Sequence, residues 1–156
     1  FGNPEKAEEV LMDSLNILGD SPAVIDSKFL LGIARANIGN VSSAYEIWSE
    51  IILMDPVYIE AHQNLALIDE LNGNVDVALE RHSNVITLLE ADMDSWLHNG
   101  TSTHYSELEL LQEALIDSYV GRATLYKSVG SLSLRDADLQ RLADLGVDPN
   151  RVLHLR

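Results

Sequence analysis

The side chains best suited to chemistry are five histidines, His62, His82, His98, His104 and His154. Metal binding needs such groups in clusters, two of them three or four residues apart on one helix face with a third ligand nearby. No pair here has that spacing. His98 and His104, near Asp92 and Asp94, come nearest, but the acidic stretch lacks the oxygen-ligand series of a calcium loop. Cysteine is absent, which removes a thiol nucleophile, a zinc ribbon and a disulfide framework, and leaves the compartment undetermined. Nucleophile elbows, phosphate-cradling glycine loops and kinase-like signatures are missing as well. Carboxylates are plentiful, yet no spacing sets a pair apart in a water-poor cleft with separated pKa values. The expectation is a chain that is not an enzyme, with no catalytic residue, no metal ligand and no cofactor.

Trp48, Trp96, Tyr45, Tyr119 and Tyr126 are the remaining candidates, as a set on which a ligand could stack. Trp48, Tyr119 and Tyr126 lie on apolar stripes and are expected in the core. Trp96 stands among polar residues in a stretch expected to be irregular, and is a candidate for a loop contact with a partner as much as for a cap on the core.

Charge narrows the class of partner. Asp and Glu number 25 against 10 Lys and Arg, a formal net charge of −15, so a nucleic acid backbone is repelled. The acids are scattered along helical segments, as a solvated surface requires, and they would also draw in a basic segment. No apolar run approaches the roughly 18 residues that suggest a membrane span, and Phe1 is not followed by the basic and apolar regions of a secretory signal. Without an initiator Met the chain reads as processed or as part of something longer. At 156 residues it is expected to form one domain, burying roughly two thirds of the surface that its unfolded form exposes.

The elements that would position these residues repeat. Gly-Asn followed by Ala five residues after the Gly occurs at Gly2, Asn3 and Ala7, at Gly39, Asn40 and Ala44, and at Gly73, Asn74 and Ala78; the last two copies are 34 residues apart. Gly provides the left-handed turn that closes one helix, and Asn caps the free amides of the next. Ser21-Pro22 and Asp55-Pro56, again 34 residues apart, place a capping side chain before a proline suited to a first helical turn. Between these marks the apolar spacing is helical: Val10, Leu11, Leu15 and Leu18; Ala44, Ile47, Trp48, Ile51 and Ile52; Leu65, Ile68, Ala78, Val85, Leu88 and Leu89. Residues 91-105 interrupt the period and are expected as an irregular insertion. Ser106 and Glu109 then make a capping box for a helix striped by Leu108, Leu111, Leu115, Tyr119, Ala123 and Tyr126, running to about Val129.

A 34-residue period of paired helices resembles the tetratricopeptide repeat (TPR). Leu31, Gly32, Gly39, Ala44, Trp48 and Pro56 fall at that family's spacing, and Leu65, Ala66, Gly73 and Ala78 repeat it, with His82 in place of the aromatic and Glu90 in place of the proline. Tyr119, Ala123, Tyr126 and Gly130 begin a drifted copy, followed by a closing helix near Leu134-Leu145 and Pro149. In that copy Ala137 comes two residues late, and Arg141 stands where an aromatic is expected, as suits a polar terminal cap. The small residues Gly32, Ala44, Ala66 and Ala78 are expected where helices approach closely.

The resemblance implies an all-α fold, a right-handed α-solenoid of stacked antiparallel helix pairs. One domain would comprise a half repeat at 1-20, repeats at 22-55 and 56-90, the insertion, and a drifted repeat with its cap at 106-149. It implies a non-catalytic protein-protein interaction module or adaptor that holds a peptide or helix in a concave groove. Carried over by position, the groove consists of Asp26, Phe29, Ile33, Asn37, Glu60, Gln63, Asn64, Leu67 and Glu70. Members that grip acidic chaperone tails use Lys, Arg and Asn on these helices; here only Asn64 fits, while Phe29, Ile33, Asp117 and Gly121 depart from that set. The expected partner is therefore a neutral or basic, partly hydrophobic segment. Two alternatives stand beside it. One is self-assembly, a homo-oligomer through the N-terminal helix, whose stripe lacks a preceding helix. The other is a regulatory piece of a larger enzyme.

Overall fold

The structure, a computed structural model, describes residues 3–19, 23–99 and 105–148. The described residues form seven helices and no strand: α1 (Pro4–Leu18), α2 (Ala23–Asn37), α3 (Val41–Met54), α4 (Ile59–Leu71), α5 (Val75–Asn99), α6 (Tyr105–Ser128) and α7 (Leu132–Asp144). The expected all-α class is present among the described residues.

Helix boundaries follow from capping chemistry. The Asn3 side chain accepts from the Lys6 amide at 3.0 Å to start α1, and Asn40 accepts from Ser43 at 3.3 Å to start α3. At the end of α2, Gly39 takes φ +84, its amide donates to Ala36 O at 3.0 Å, and the Asn40 amide donates to Arg35 O at 2.9 Å. This pair of bonds satisfies carbonyls that the helix leaves orphaned, and it recurs with Gly130 and Ser131 after α6. Ser21, Pro22 and Pro149 lie outside the described residues.

Two expectations need correction. Pro56 does not open a helix: Asp55 is extended (φ −137, ψ 93) and ends α3, the Val57 amide donates to its carboxylate at 3.2 Å, and α4 starts at Ile59. The backbone clash before a proline disfavours the helical conformation for Asp55, so the turn comes first. Residues 91–99 are not irregular but continue α5. The apolar period runs on through Leu89, Met93 and Trp96, and no Gly or Pro interrupts it before Gly100.

Where one domain is expected, the chain divides into two compact units, Phe1–Leu71 and Asn72–Arg156, so the expected repeat 56–90 has α4 in the first and α5 in the second. In the first unit Ala44, Trp48 and Ile51 of α3 are buried with Ala61, Leu65 and Ile68 of α4, and Phe29 and Ile33 of α2 pack against them. Full burial of a side chain such as Leu65 contributes about 1.5–3 kcal/mol. Arg35 crosses the layer, meeting Glu8 of α1 at 2.8 Å and Ser43 of α3 at 3.2 Å.

In the second unit α6 packs between α5 and α7. Val85 and Leu89 of α5, Tyr119 and Ala123 of α6 and Leu142 of α7 are all buried. Arg122 joins the three helices. Its guanidinium donates to both carboxylate oxygens of Asp138 at 2.9 and 2.6 Å and to Ser83 Oγ at 3.0 Å, and it lies 5.5 Å from the Tyr119 ring centre. Burial lowers the affinity of Arg122 for its proton, but the bonds and charge of Asp138 outweigh it and the pKa is raised. Arg141, expected as a polar cap, is exposed on α7 with Glu90 at 3.8 Å.

Candidate functional site

The residues expected to form a groove all belong to α2 and α4 of the first unit. Tyr58, just before α4, brings the starts of these two helices together: its hydroxyl donates to Asp26 Oδ1 at 3.2 Å and its ring lies 5.3 Å from that of Phe29. Burial and the Asp26 carboxylate push the Tyr58 hydroxyl up to about 12, so it stays protonated and the link holds across ordinary pH. The starts of the two helices therefore meet at one end of the unit.

The expected residues differ in what they offer. Asp26, Asn37, Glu60 and Leu67 are exposed, and Ile33, Gln63, Asn64 and Glu70 are half-buried, with Gln63 and Glu70 engaged in interactions of their own. Phe29 is largely committed to the fold: it sits between Tyr58 and Trp48, whose ring centre is 6.3 Å away, and its carbonyl accepts the Trp48 indole N–H at 3.3 Å. Trp96 lies in the helical part of α5 rather than in a loop, and its side chain is outside the described set, as are the side chain of His98 and all of His104 and His154.

Sequence reasoning missed several apolar groups on the same faces. Leu30 lies three residues before Ile33 and is 51% exposed; Leu71 lies four after Leu67 and is 78% exposed. Helical spacing alone places both beside groove positions, so the stripe could have been extended from the sequence. A cleft of about 610 Å³ between α1 and α2 was not foreseen at all. It is lined by Asn3, Lys6, Ala7, Val10 and Leu11 from α1 and by Leu30, Ile33, Ala34 and Asn37 from α2, and so shares Ile33 and Asn37 with the expected groove. Such a volume lies in the range of ligand pockets.

The second unit offers less. Glu90, Leu115, Tyr119, Arg141, Asp144 and Leu145 line a cavity of about 90 Å³. There the Tyr119 hydroxyl donates to Glu90 at 2.6 Å, and burial together with that carboxylate pushes it up to about 12. Gly121, at a position where a chaperone-tail clamp would want a polar group, backs onto His82: an added Cβ would lie 2.5 Å from the imidazole. Among the described residues no group of three or more His, Asp or Glu side chains could hold a metal ion, and no helix is long and apolar enough to cross a membrane.

No protein-family model and no curated protein matches the chain. Among solved structures it is similar to the nearly identical TPR-like repeats of a Podosopora anserina protein named for kinesin light chain, at 17% identity and TM-score 0.47, over 92% of this chain and 87% of that one. A second structure, of a point variant of those repeats, gives the same identity and TM-score, over 95% of this chain and 89% of that one. The described residues of this chain form helices and no strand, with left-handed glycines at Gly39, Gly73 and Gly130 between successive helices.

Proposed function

We propose that the chain is a non-catalytic protein-protein interaction module whose α2 and α4 faces hold a neutral or basic, partly hydrophobic segment of another protein. The observation that carries this is Leu67, an apolar side chain 51% exposed on α4, with Glu60 exposed two turns before it and Asp26 exposed on α2. Apolar groups left in water between acids suit a ligand that brings apolar contacts and positive charge together. The contact set is Asp26, Ile33 and Asn37 with Glu60, Gln63, Asn64, Leu67 and Glu70, and Phe29 supports it from within.

A library of random peptides displayed on phage and selected against the intact protein tests the proposal. Selected sequences are expected to combine apolar residues with Lys or Arg, to bind with micromolar dissociation constants, and to lose about tenfold in affinity to Leu67→Glu, equivalent to about 1.4 kcal/mol. Leu67→Glu is a better probe than a change at Phe29, because it alters an exposed position without opening the core. Peptides that bind wild type and Leu67→Glu equally would place the binding surface elsewhere.

A further inference from the structure

Asp26, Leu30, Ile33 and Asn37 form one stripe along α2, and Glu60, Asn64, Leu67 and Leu71 repeat it on α4, each 34 residues after its counterpart. The two stripes run in the same sense. Lys28, early in α2, meets Glu50, late in α3, at 2.6 Å, and Arg35, late in α2, meets Ser43, early in α3, at 3.2 Å, so α2 and α3 are antiparallel. The Tyr45 hydroxyl, early in α3, lies 3.4 Å from the carboxylate of Asp69, late in α4, while the turn at 55–58 joins the other ends of these helices, so α4 is antiparallel to α3 as well. Each stripe therefore begins with an acid and ends on apolar or neutral side chains, and the acids lie at one end of the unit.

The charge at that end is concentrated. Burial raises the Tyr58 hydroxyl, and the carboxylates of Asp26, Glu60 and Asp55 all act on it in the same direction. Asp26 and Glu60 are both exposed. The cations of these helices are committed elsewhere: α4 carries no Lys or Arg, and Lys28 and Arg35 stand on the opposite face of α2, partnered by Glu50 and Glu8. At the other end Leu67 is 51% and Leu71 78% exposed, and Glu70, beside the stripe, has interactions of its own.

We infer that the segment held on this face is itself polarised, with a Lys or Arg over Asp26 and Glu60 and its apolar residues over Ile33, Leu67 and Leu71. The helical rise separates Asp26 from Ile33 by about 10 Å and Glu60 from Leu71 by about 16 Å, spans that roughly three to five residues of extended chain cover. Such a segment fits in one order. Reversed, its cation would be desolvated among leucines and its apolar groups would lie on carboxylates, so both ends lose their partners. The inference rests on the function proposed above and adds an order to the composition given there.

A charge swap at either end of the stripes provides the test, with the peptide most enriched by phage display on the intact protein, fluorescently labelled, as the probe and anisotropy at low salt as the readout. Glu60→Lys should weaken this peptide about threefold to fivefold, and a version with its basic residue changed to Glu should regain that loss on Glu60→Lys. Leu71→Lys, at the other end, should weaken the peptide without being rescued by the Glu version. Both positions are exposed, so far-ultraviolet circular dichroism should be unchanged. Rescue on Leu71→Lys in place of Glu60→Lys, or on both or neither, would overturn the inferred order while sensitivity to Leu67→Glu still upheld the binding face. A peptide indifferent to Leu67→Glu and to both lysine variants would overturn the face and the order together.

Discussion

Gly32 shows how one missing side chain sets a helix contact. An ideal Cβ there would lie 2.3 Å from Trp48 Nε1, and the indole cannot withdraw without giving up its bond to the Phe29 carbonyl. Gly32→Ala is therefore expected to destabilise the first unit by about 1–3 kcal/mol, read as a lower urea midpoint followed through Trp48 fluorescence. Unchanged stability would mean that the indole can shift without loss. The position was legible because Gly32 and Trp48 both fall at the spacing that resembles the family. Gly121 was not: its partner His82 replaces the family's aromatic, and the periodic signal is weak there.

The boundaries of the helices were legible at the Gly-Asn junctions and misread at Asp55-Pro56, where a turn precedes α4, and beyond Leu89. Gly39, Asn40 and Gly73 end and start helices as their residue types require, with positive φ at both glycines. Residues 91–99 misled because clustered Asp, Ser, His and Asn look like a loop, whereas unbroken helical spacing in an established helix carries α5 onward. The Arg122–Asp138 pair could not be read at all, since 16 residues of sequence separation mean nothing until α6 and α7 lie side by side. That pair provides the test at this scale. Arg122→Met leaves the Asp138 carboxylate buried without its partner and should cost the second unit about 3–5 kcal/mol in chemical denaturation. Arg122→Met with Asp138→Leu, which removes both charges, should recover most of that loss. A double variant no more stable than Arg122→Met would show that the arginine acts mainly through its stacking on Tyr119 and Tyr126.

At the level of the whole molecule, the net charge of −15 and the exposed apolar side chains of α2 and α4 point to the same kind of ligand. The field speeds the approach of basic segments and slows acidic ones, and apolar contact then holds what arrives. On the proposed function, an acidic chaperone tail would be disfavoured by that field. The repeat period was enough to foresee successive helices; it records which positions are equivalent, and so carries no sign of the two compact units Phe1–Leu71 and Asn72–Arg156. The most direct test of the binding face is a backbone amide titration by NMR with a display-selected basic, apolar peptide. The perturbed amides should cluster in 26–37 and 60–71, centred on Ile33, Asn64 and Leu67, whereas perturbations confined to 105–148 would contradict the account.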